Sequence, residues 1–453
     1  MRGLSTRIVL ILLLAAGLAG ATELFGPRAM AMGGAQVALV EDGTCAYWNP
    51  AAFGRRDIIF GADPVWGFGV KDGITEQMNR FRSYYDGADD LPMDPTEIQN
   101  YIEDFQGALE DFNEPGVGVI GNMHAGFAAQ IGPVAVSWVD MTKLEIGPWV
   151  DTYTARLIST TYLDSFAEIT ALYGAGLLTT AEYNRLASQG WRTIEGDGIG
   201  LEDDNGSVVN ATGFAQHDLA VTYAHSFELK RDNFIAIGAS AKFIYGQRYD
   251  NQIPFNVEEA LTTGPNWLFE NILNVGASAT GYGFSMDLGV QGFVGDFFHF
   301  GVMGRNIIPL EIAWDDDSPA TQLDPQVRIG VSFEPFSGFN IALDLDALET
   351  DYTVTVYDPN AGETREITVD RVRDLSFGVE WNLAEIFSVR AGINTNYNSV
   401  IEDQADANFL ACFGFGLHVG EIFHFDLGVM TNTFSSGENN NHLGGSVAVG
   451  FVL

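Results

Sequence analysis

The chain has 453 residues, with 60 acidic against 22 basic side chains and a formal net charge of −38. So large an acid excess excludes nucleic-acid binding, which needs basic patches to neutralise phosphates. It leaves the fold open.

At the start, Arg2 and Arg7 precede an apolar run from Ile8 to Ala19, which ends in Ala19-Gly20-Ala21. This is the layout of a secretory signal peptide with an A-x-A-like cleavage site, so residues 1–21 are expected to be removed. No cysteine stands at the cleavage point, and no lipoprotein anchor is expected. Past the leader no stretch of roughly 18 apolar residues could cross a bilayer as a helix. Residues 22–55 read as a separate N-terminal segment. Gly33-Gly34 permits backbone conformations closed to other residues, Asn49-Pro50 favours a turn, and Tyr47 and Trp48 offer large apolar surfaces with polar tips.

From about residue 56 to the end the chain alternates. A first, weaker strand is read at Arg56 to Phe68, then a pair at Val117 to Ile131 and Val134 to Leu144. Period two continues through Ala215 to Leu229, Ile235 to Tyr249 and Gly281 to Phe293, then near Val327, Phe339, Leu375, Phe387, Phe409 and Phe423, and finally at Val447 to Leu453. One face is Phe, Val, Leu, Ile and Tyr; the other is Gly, Ser, Asp, Arg, Asn and Glu. That contrast suits a lipid-facing belt over a polar interior, and a sheet in hydrocarbon must close because no water is there to satisfy an edge. Tight links near 131–133, 229–233, 294–296, 335–338, 382–386 and 420–422 alternate with longer ones near 70–116, 147–210, 251–279, 310–324, 352–366, 400–406 and 436–441. Two unequal rims and about fourteen antiparallel strands define an all-β, outer-membrane-type barrel over 56–453, with both ends on the periplasmic rim.

Strand parity assigns Lys242, Arg248, Asp287, Arg328, Asp344, Glu380, Arg390, His424 and Asp426 to the lumen, with Glu380 and Arg390 a candidate cross-strand pair. Two long loops read as partly helical. Asp94-Pro95-Thr96-Glu97 caps a helix bearing Phe105, Leu109 and Phe112 on one face, and Tyr162 to Leu186 carries Phe166, Leu172 and Tyr173. These faces either pack on one another or receive a hydrophobic ligand. With Tyr47 and Trp48 below them, they are the candidate ligand path. Loop carboxylates such as Asp86, Asp89, Asp90 and Asp315 to Asp317 are solvated charges or, alternatively, calcium ligands, although no EF-hand spacing occurs. Gly116 to Gly121 matches G-x-G-x-x-G literally but leads into a strand, against a dinucleotide site. There is no G-x-S-x-G, H-E-x-x-H or Walker loop, so neither an enzyme nor a cofactor or metal is expected.

Gly26-Pro27-Arg28-Ala29-Met30-Ala31-Met32-Gly33-Gly34-Ala35 and Trp48-Asn49-Pro50-Ala51 give R-A-x-x-M-G-G-A followed by W-N-P-A. This resembles the N-terminal signature of outer-membrane proteins related to the long-chain fatty acid transporter, a FadL-like set that includes PorV-like and conjugal-transfer TraF-like proteins. The resemblance implies a fourteen-stranded barrel whose N-terminal segment folds into the lumen as a hatch. The chain departs from many barrels in ending on Leu453 instead of an aromatic residue. Passive uptake of hydrophobic small molecules such as long-chain fatty acids, in the outer membrane of a diderm bacterium, is the leading expectation; the partners are outer-membrane lipid and that ligand. The alternative is a non-transporting scaffold or shuttle for an exported protein partner in secretion or conjugal transfer. A hatch would block free flow, which disfavours an aqueous porin. Cys45 and Cys412, the two cysteines, either form a disulfide tying hatch to wall in an oxidising compartment or stay separate buried thiols.

Overall fold

Period-two alternation becomes strands throughout. The structure, a computed structural model, describes residues 24–55, 61–62, 64–72, 117–149, 208–229, 233–254, 276–295, 297–316, 320–358, 363–383, 386–398, 409–419, 423–432 and 441–452, with isolated positions between 74 and 113 and between 173 and 180. In chain order the strands are β1 (Gly61–Ala62), β2 (Val65–Asp72), β3 (Val119–Ile131), β4 (Val134–Trp149), β5 (Val208–Glu228), β6 (Phe234–Pro254), β7 (Ala279–Val294), β8 (Phe298–Arg305), β9 (Leu310–Trp314) and β10 (Thr321–Leu323). They continue as β11 (Gln326–Phe336), β12 (Phe339–Asp346), β13 (Thr350–Asp358), β14 (Glu363–Val372), β15 (Asp374–Leu383), β16 (Phe387–Asn396), β17 (Phe409–Val419), β18 (Phe423–Thr431) and β19 (Asn441–Val452).

β1 and β2 form one lane, since both pair with β19 and β3. β9 carries on the lane of β8 along β7. Neighbouring lanes are antiparallel, and β19 returns to β2 through Gly444↔Gly69 and Val447↔Trp66, closing a barrel of 14 strands. Closure removes the open edges that hydrocarbon cannot tolerate. β13 and β14 form a separate two-stranded sheet.

The short-turn rim is sharpened by Gly132, Gly295 and Gly338, whose φ values of 54, 61 and 79° favour glycine. Parity holds from lane to lane. In β7, Tyr282, Phe284, Leu288 and Val290 are exposed, whereas Ser285, Asp287 and Gln291 are buried. Around the wall the outward face includes Trp66, Trp138, Leu219, Val221, Phe377, Trp381 and Phe413. So continuous an apolar surface suits lipid and not water. β5 and β6 are 21 residues each, well beyond the roughly 9–11 a tilted crossing needs. Their pairing runs unbroken from Glu228↔Phe234 to Val208↔Pro254, so this part of the wall stands above the belt on the long-loop side.

Some expectations shift. The first strand lies further along the chain than its alternation suggested, and its lane is interrupted between Ala62 and Val65. The links read at 310–324 and 352–366 contain strands of their own, because Leu310, Ile312 and Trp314 find apolar partners and because β13 and β14 satisfy each other's backbone groups. Apart from isolated positions, the loop helices read at 94–112 and 162–186 lie outside the described residues.

An outward Phe377→Arg change places a charge on the lipid face and costs about 2–4 kcal/mol near the bilayer midplane. It is expected to lower the fraction of heat-modifiable, folded barrel on unboiled gels, whereas Phe377→Leu leaves that fraction near wild type.

Candidate functional site inside the barrel

Residues 24–55 occupy the barrel interior, where they are buried almost throughout. The segment has two short helices, α1 (Pro27–Ala31) and α2 (Cys45–Trp48), then a 3-10 turn at Pro50–Arg55. Pro27 sits in the first turn of α1, where its missing N–H costs nothing. α1 ends at Gly33 and Gly34, with φ of 64 and 92°, and the Gly34 amide donates to the Ala29 carbonyl at 2.8 Å.

These glycines also permit close approach to the wall, and the wall answers in kind. A Cβ on Gly33 would lie 2.6 Å from the Ile393 carbonyl oxygen. One on Gly392 would lie 2.3 Å from the Met32 carbonyl carbon, and one on Gly378 2.6 Å from the Met32 oxygen. Gly414 faces Ala31, Gly428 faces Pro27, Gly301 faces Val37, and Gly238 and Gly289 face Pro50, Ala51 and Asn49 at similarly short range. The inward positions of β6, β7, β8 and β15 to β18 are therefore cut back to backbone where the segment crosses them.

Hydrogen bonds fix the register. The Trp48 indole donates to the Phe25 carbonyl at 2.7 Å. The Asn49 amide donates to the Val37 carbonyl at 2.9 Å and the Val290 carbonyl at 3.0 Å, and its oxygen accepts from the Ala51 amide at 3.1 Å. Asp344 accepts from the amides of Gln36 and Val37 at 2.7 and 2.8 Å. Gln130, Gln291, Arg305 and Asn394 donate to segment carbonyls at Phe53, Ala38, Tyr47 and Gly33.

Charges of alternating sign run between segment and wall. Arg28 bridges Glu41 at 2.9 Å and Glu380 at 2.6 Å; Glu380 meets Arg390 at 2.8 Å, and Arg390 meets Asp426. Burial works against the Arg28 cation, but the carboxylates of Glu380 and Glu41 outweigh it and hold its pKa well above the usual arginine value. Arg328 joins Asp346 and Asp374 at 2.6 and 3.3 Å. Lys242 joins Asp287 at 3.0 Å and Asp218 at 3.4 Å and donates to Asn306 at 2.7 Å. Of the nine polar positions read from parity, Lys242, Asp287, Arg328, Asp344, Glu380, Arg390 and Asp426 are buried on the inner face. Arg248 is half-buried toward the long-loop end, paired with Asp250 at 2.6 Å, and His424 lies opposite His418 near the short-turn rim.

Among the aromatic candidates, Tyr47 and Trp48 form the core of the segment. Tyr47 stacks on Phe25 at 4.8 Å beneath the Arg305 guanidinium, and Trp48 meets its edge at 5.2 Å. Tyr173 is exposed. Phe105, Leu109, Phe166 and Leu172 lie outside the described residues, and of Phe112 only the backbone is described. Cys45 and Cys412 are separate buried thiols, the second of the two alternatives read from the sequence, and no disulfide joins them. They belong to different clusters, Cys45 with Phe25, Tyr47 and Trp48, and Cys412 with Leu24, Met30, Leu410 and Met430. Among the described residues no group of three or more His, Cys, Asp or Glu is placed to hold a metal.

Toward the long-loop rim the inner face changes character. Ile244, Ala279, Leu310, Ile312 and Trp314 form a buried apolar cluster, flanked by Phe214 and Leu323. Leu310, Ile312 and Trp314 rest on Gly246, Gly281 and Gly283, and the Trp314 ring meets Phe214 edge-on at 5.9 Å. Alternation did not single out this patch, because Ile244 and Phe214 share their strand face with Lys242 and Gly246 and with Thr212 and Gln216, and because 310–324 read as a loop. Arg28 and Asn49 were in view as part of the N-terminal signature, but their partners were not.

A family model described as "F plasmid transfer operon, TraF, protein" matches residues 46–346. The chain belongs to this family. The match takes in W-N-P-A and the wall from β1 to β12, so Asn49 and its wall partner Val290 on β7 both lie within the TraF-family region. No curated protein sequence matches the chain. Among solved structures it is similar to the CymD monoaromatic hydrocarbon channel, with 11% identity, 96% of this chain and 99% of that one covered, and a TM-score of 0.50. The Ralstonia pickettii toluene transporter TbuX aligns at 10% identity over 96% and 99% of the two chains, with a TM-score of 0.49. A Pseudomonas aeruginosa FadL homologue aligns at 9% identity over 95% and 98%, with a TM-score of 0.44. At such identities the CymD likeness is one of fold alone, that of a closed β-barrel.

Gly392→Leu is expected to leave the barrel heat-modifiable but to lift the segment off β16, giving higher single-channel conductance and new protease cleavage within 24–55. Alkylation without reductant is expected to label neither thiol in the folded protein and both after denaturation; one disulfide-protected pair would contradict the separate clusters.

Proposed function

We propose that this TraF-family barrel takes up hydrophobic small molecules passively across the outer membrane, entering from the long-loop rim. The apolar cluster on the inner face carries this reading. Aqueous channels keep a polar interior, whereas Ile244, Leu310, Ile312 and Trp314 form a buried apolar cluster on the inner face of this one. Binding sites for apolar ligands are concave and apolar with a few polar groups at the edge, and Lys242, two residues before Ile244 on the same face, supplies such an edge. The fold shared with a barrel named as a monoaromatic hydrocarbon channel agrees with this reading. Phe105, Leu109, Phe112, Phe166, Leu172 and Tyr173 are assigned to the outer part of the same route. Export by the cleaved N-terminal leader delivers the chain to that membrane.

A second reading is favoured by the fit of residues 24–55 against the wall and by the family's name. On that reading the barrel is a closed scaffold for an exported partner in conjugal transfer.

The two part in a binding experiment on purified protein with a fluorescent long-chain fatty acid and with toluene. Uptake predicts saturable binding that Ile312→Asp or Trp314→Asp weakens at least about tenfold, the scale of a buried apolar contact, with assembly intact. Absence of binding to either probe by the wild type contradicts uptake and leaves the scaffold.

A further inference from the structure

Between β12 and β15 the chain leaves the barrel at Asp346 and rejoins it at Asp374. The two lanes are already paired below that point through Leu345↔Leu375, so the intervening β13–β14 hairpin is not needed to close the wall. Its base is clamped. Arg328 holds both Asp346 and Asp374, the Arg373 guanidinium donates to the Asp346 carbonyl at 3.3 Å, and the Ala347 amide donates to the Val327 carbonyl at 2.7 Å. From this base the strands pair from Thr350↔Val372 to Asp358↔Glu363.

The direction of the hairpin is the informative part. β13 comes within 8 Å of β4, measured between Cα atoms. On one side β5, β6, β7, β8 and β11 separate β4 from β12; on the other, β15 to β19, β2 and β3 do. β4 therefore stands nearly opposite the hairpin's base. A strand of 9 residues extends about 30 Å, enough to cross the mouth of such a barrel.

We infer that the β13–β14 hairpin is a strap across the long-loop mouth that divides it and sets the size of solute admitted to the apolar cluster below. Two paired strands resist bending more than a single loop, and the clamped base aims them. The selectivity role rests on the uptake reading; the barrier itself does not, and the experiment reads the barrier separately.

In a Cys45→Ala, Cys412→Ala background, Phe214→Cys places a reporter thiol on the inner face near the mouth. Intact cells are treated with a small and a bulky membrane-impermeant thiol reagent, with the hairpin present and with residues 348–372 replaced by Gly-Ser-Gly. The strap predicts that excision accelerates the bulky reagent at least about tenfold and the small one less than about twofold, as removal of a lid does. Acceleration of neither reagent, or of both alike, overturns it. If the excised barrel fails to assemble, single cysteines at 353–358 paired with Trp149→Cys decide. Cross-linking by a bifunctional reagent spanning about 8–10 Å supports the strap, and its absence from all six positions refutes it. Toluene and long-chain fatty acid uptake then test selectivity: a loss of size discrimination on excision is expected, and uptake of neither by the intact barrel indicts the uptake reading alone.

Discussion

Close backbone packing between residues 24–55 and the inner wall is the constraint from which the rest of this architecture follows. A barrel of this size encloses more volume than its inward side chains fill, and here a length of chain takes the space. Chain can lie on chain only where side chains are missing, which is why Gly378, Gly392, Gly414 and Gly428 on one side face Met32, Gly33, Ala31 and Pro27 on the other. Each glycine would weaken an isolated strand. Inside the closed sheet the ladder on both sides fixes its conformation, and the close fit of the segment offsets the loss.

Packing of that kind forces the polar groups into pairs. Backbone carbonyls of the segment meet Gln130, Gln291, Arg305 and Asn394, which serve it as neighbouring strands would in a sheet. The charges follow the same logic. Arg28 and Arg390 lie on either side of Glu380, and no charge in that chain stands next to one of like sign. Removing one partner of a buried pair strands the other at a cost of about 3–5 kcal/mol, so these groups act as a keyed fit. The interior thus behaves as a protein core around the segment, and toward the long-loop rim it carries the buried apolar cluster of Ile244, Leu310, Ile312 and Trp314.

The barrel was legible because lipid demands one residue type on alternate positions and the lumen another. β7 shows this plainly, as Tyr282, Phe284 and Leu288 against Ser285 and Asp287 needed only parity to be sorted. The cross-strand Glu380 and Arg390 pair was legible for the same reason. The β13–β14 hairpin was missed because alternation without a lipid belt looks like a loop bounded by longer strands. The apolar cluster was missed because Leu310, Ile312 and Trp314 are inward by virtue of an interruption at Asn306, a non-glycine residue at a φ of 51°. Nothing in a period-two reading announces such a break. The cysteines failed as a pair since exclusivity in the sequence says nothing of distance: Cys412 does face inward, but it meets Leu24 and Met30, while Cys45 packs beside Tyr47 and Trp48.

Hydrogen exchange of the assembled barrel, followed by mass spectrometry over residues 24–55, tests most directly whether this segment is a docked part of the core. The account predicts that the amides of Gly34, Gln36, Val37 and Ala51 exchange as slowly as those of β16 and β17. Exchange of the whole segment within seconds, with the strands still protected, would contradict it.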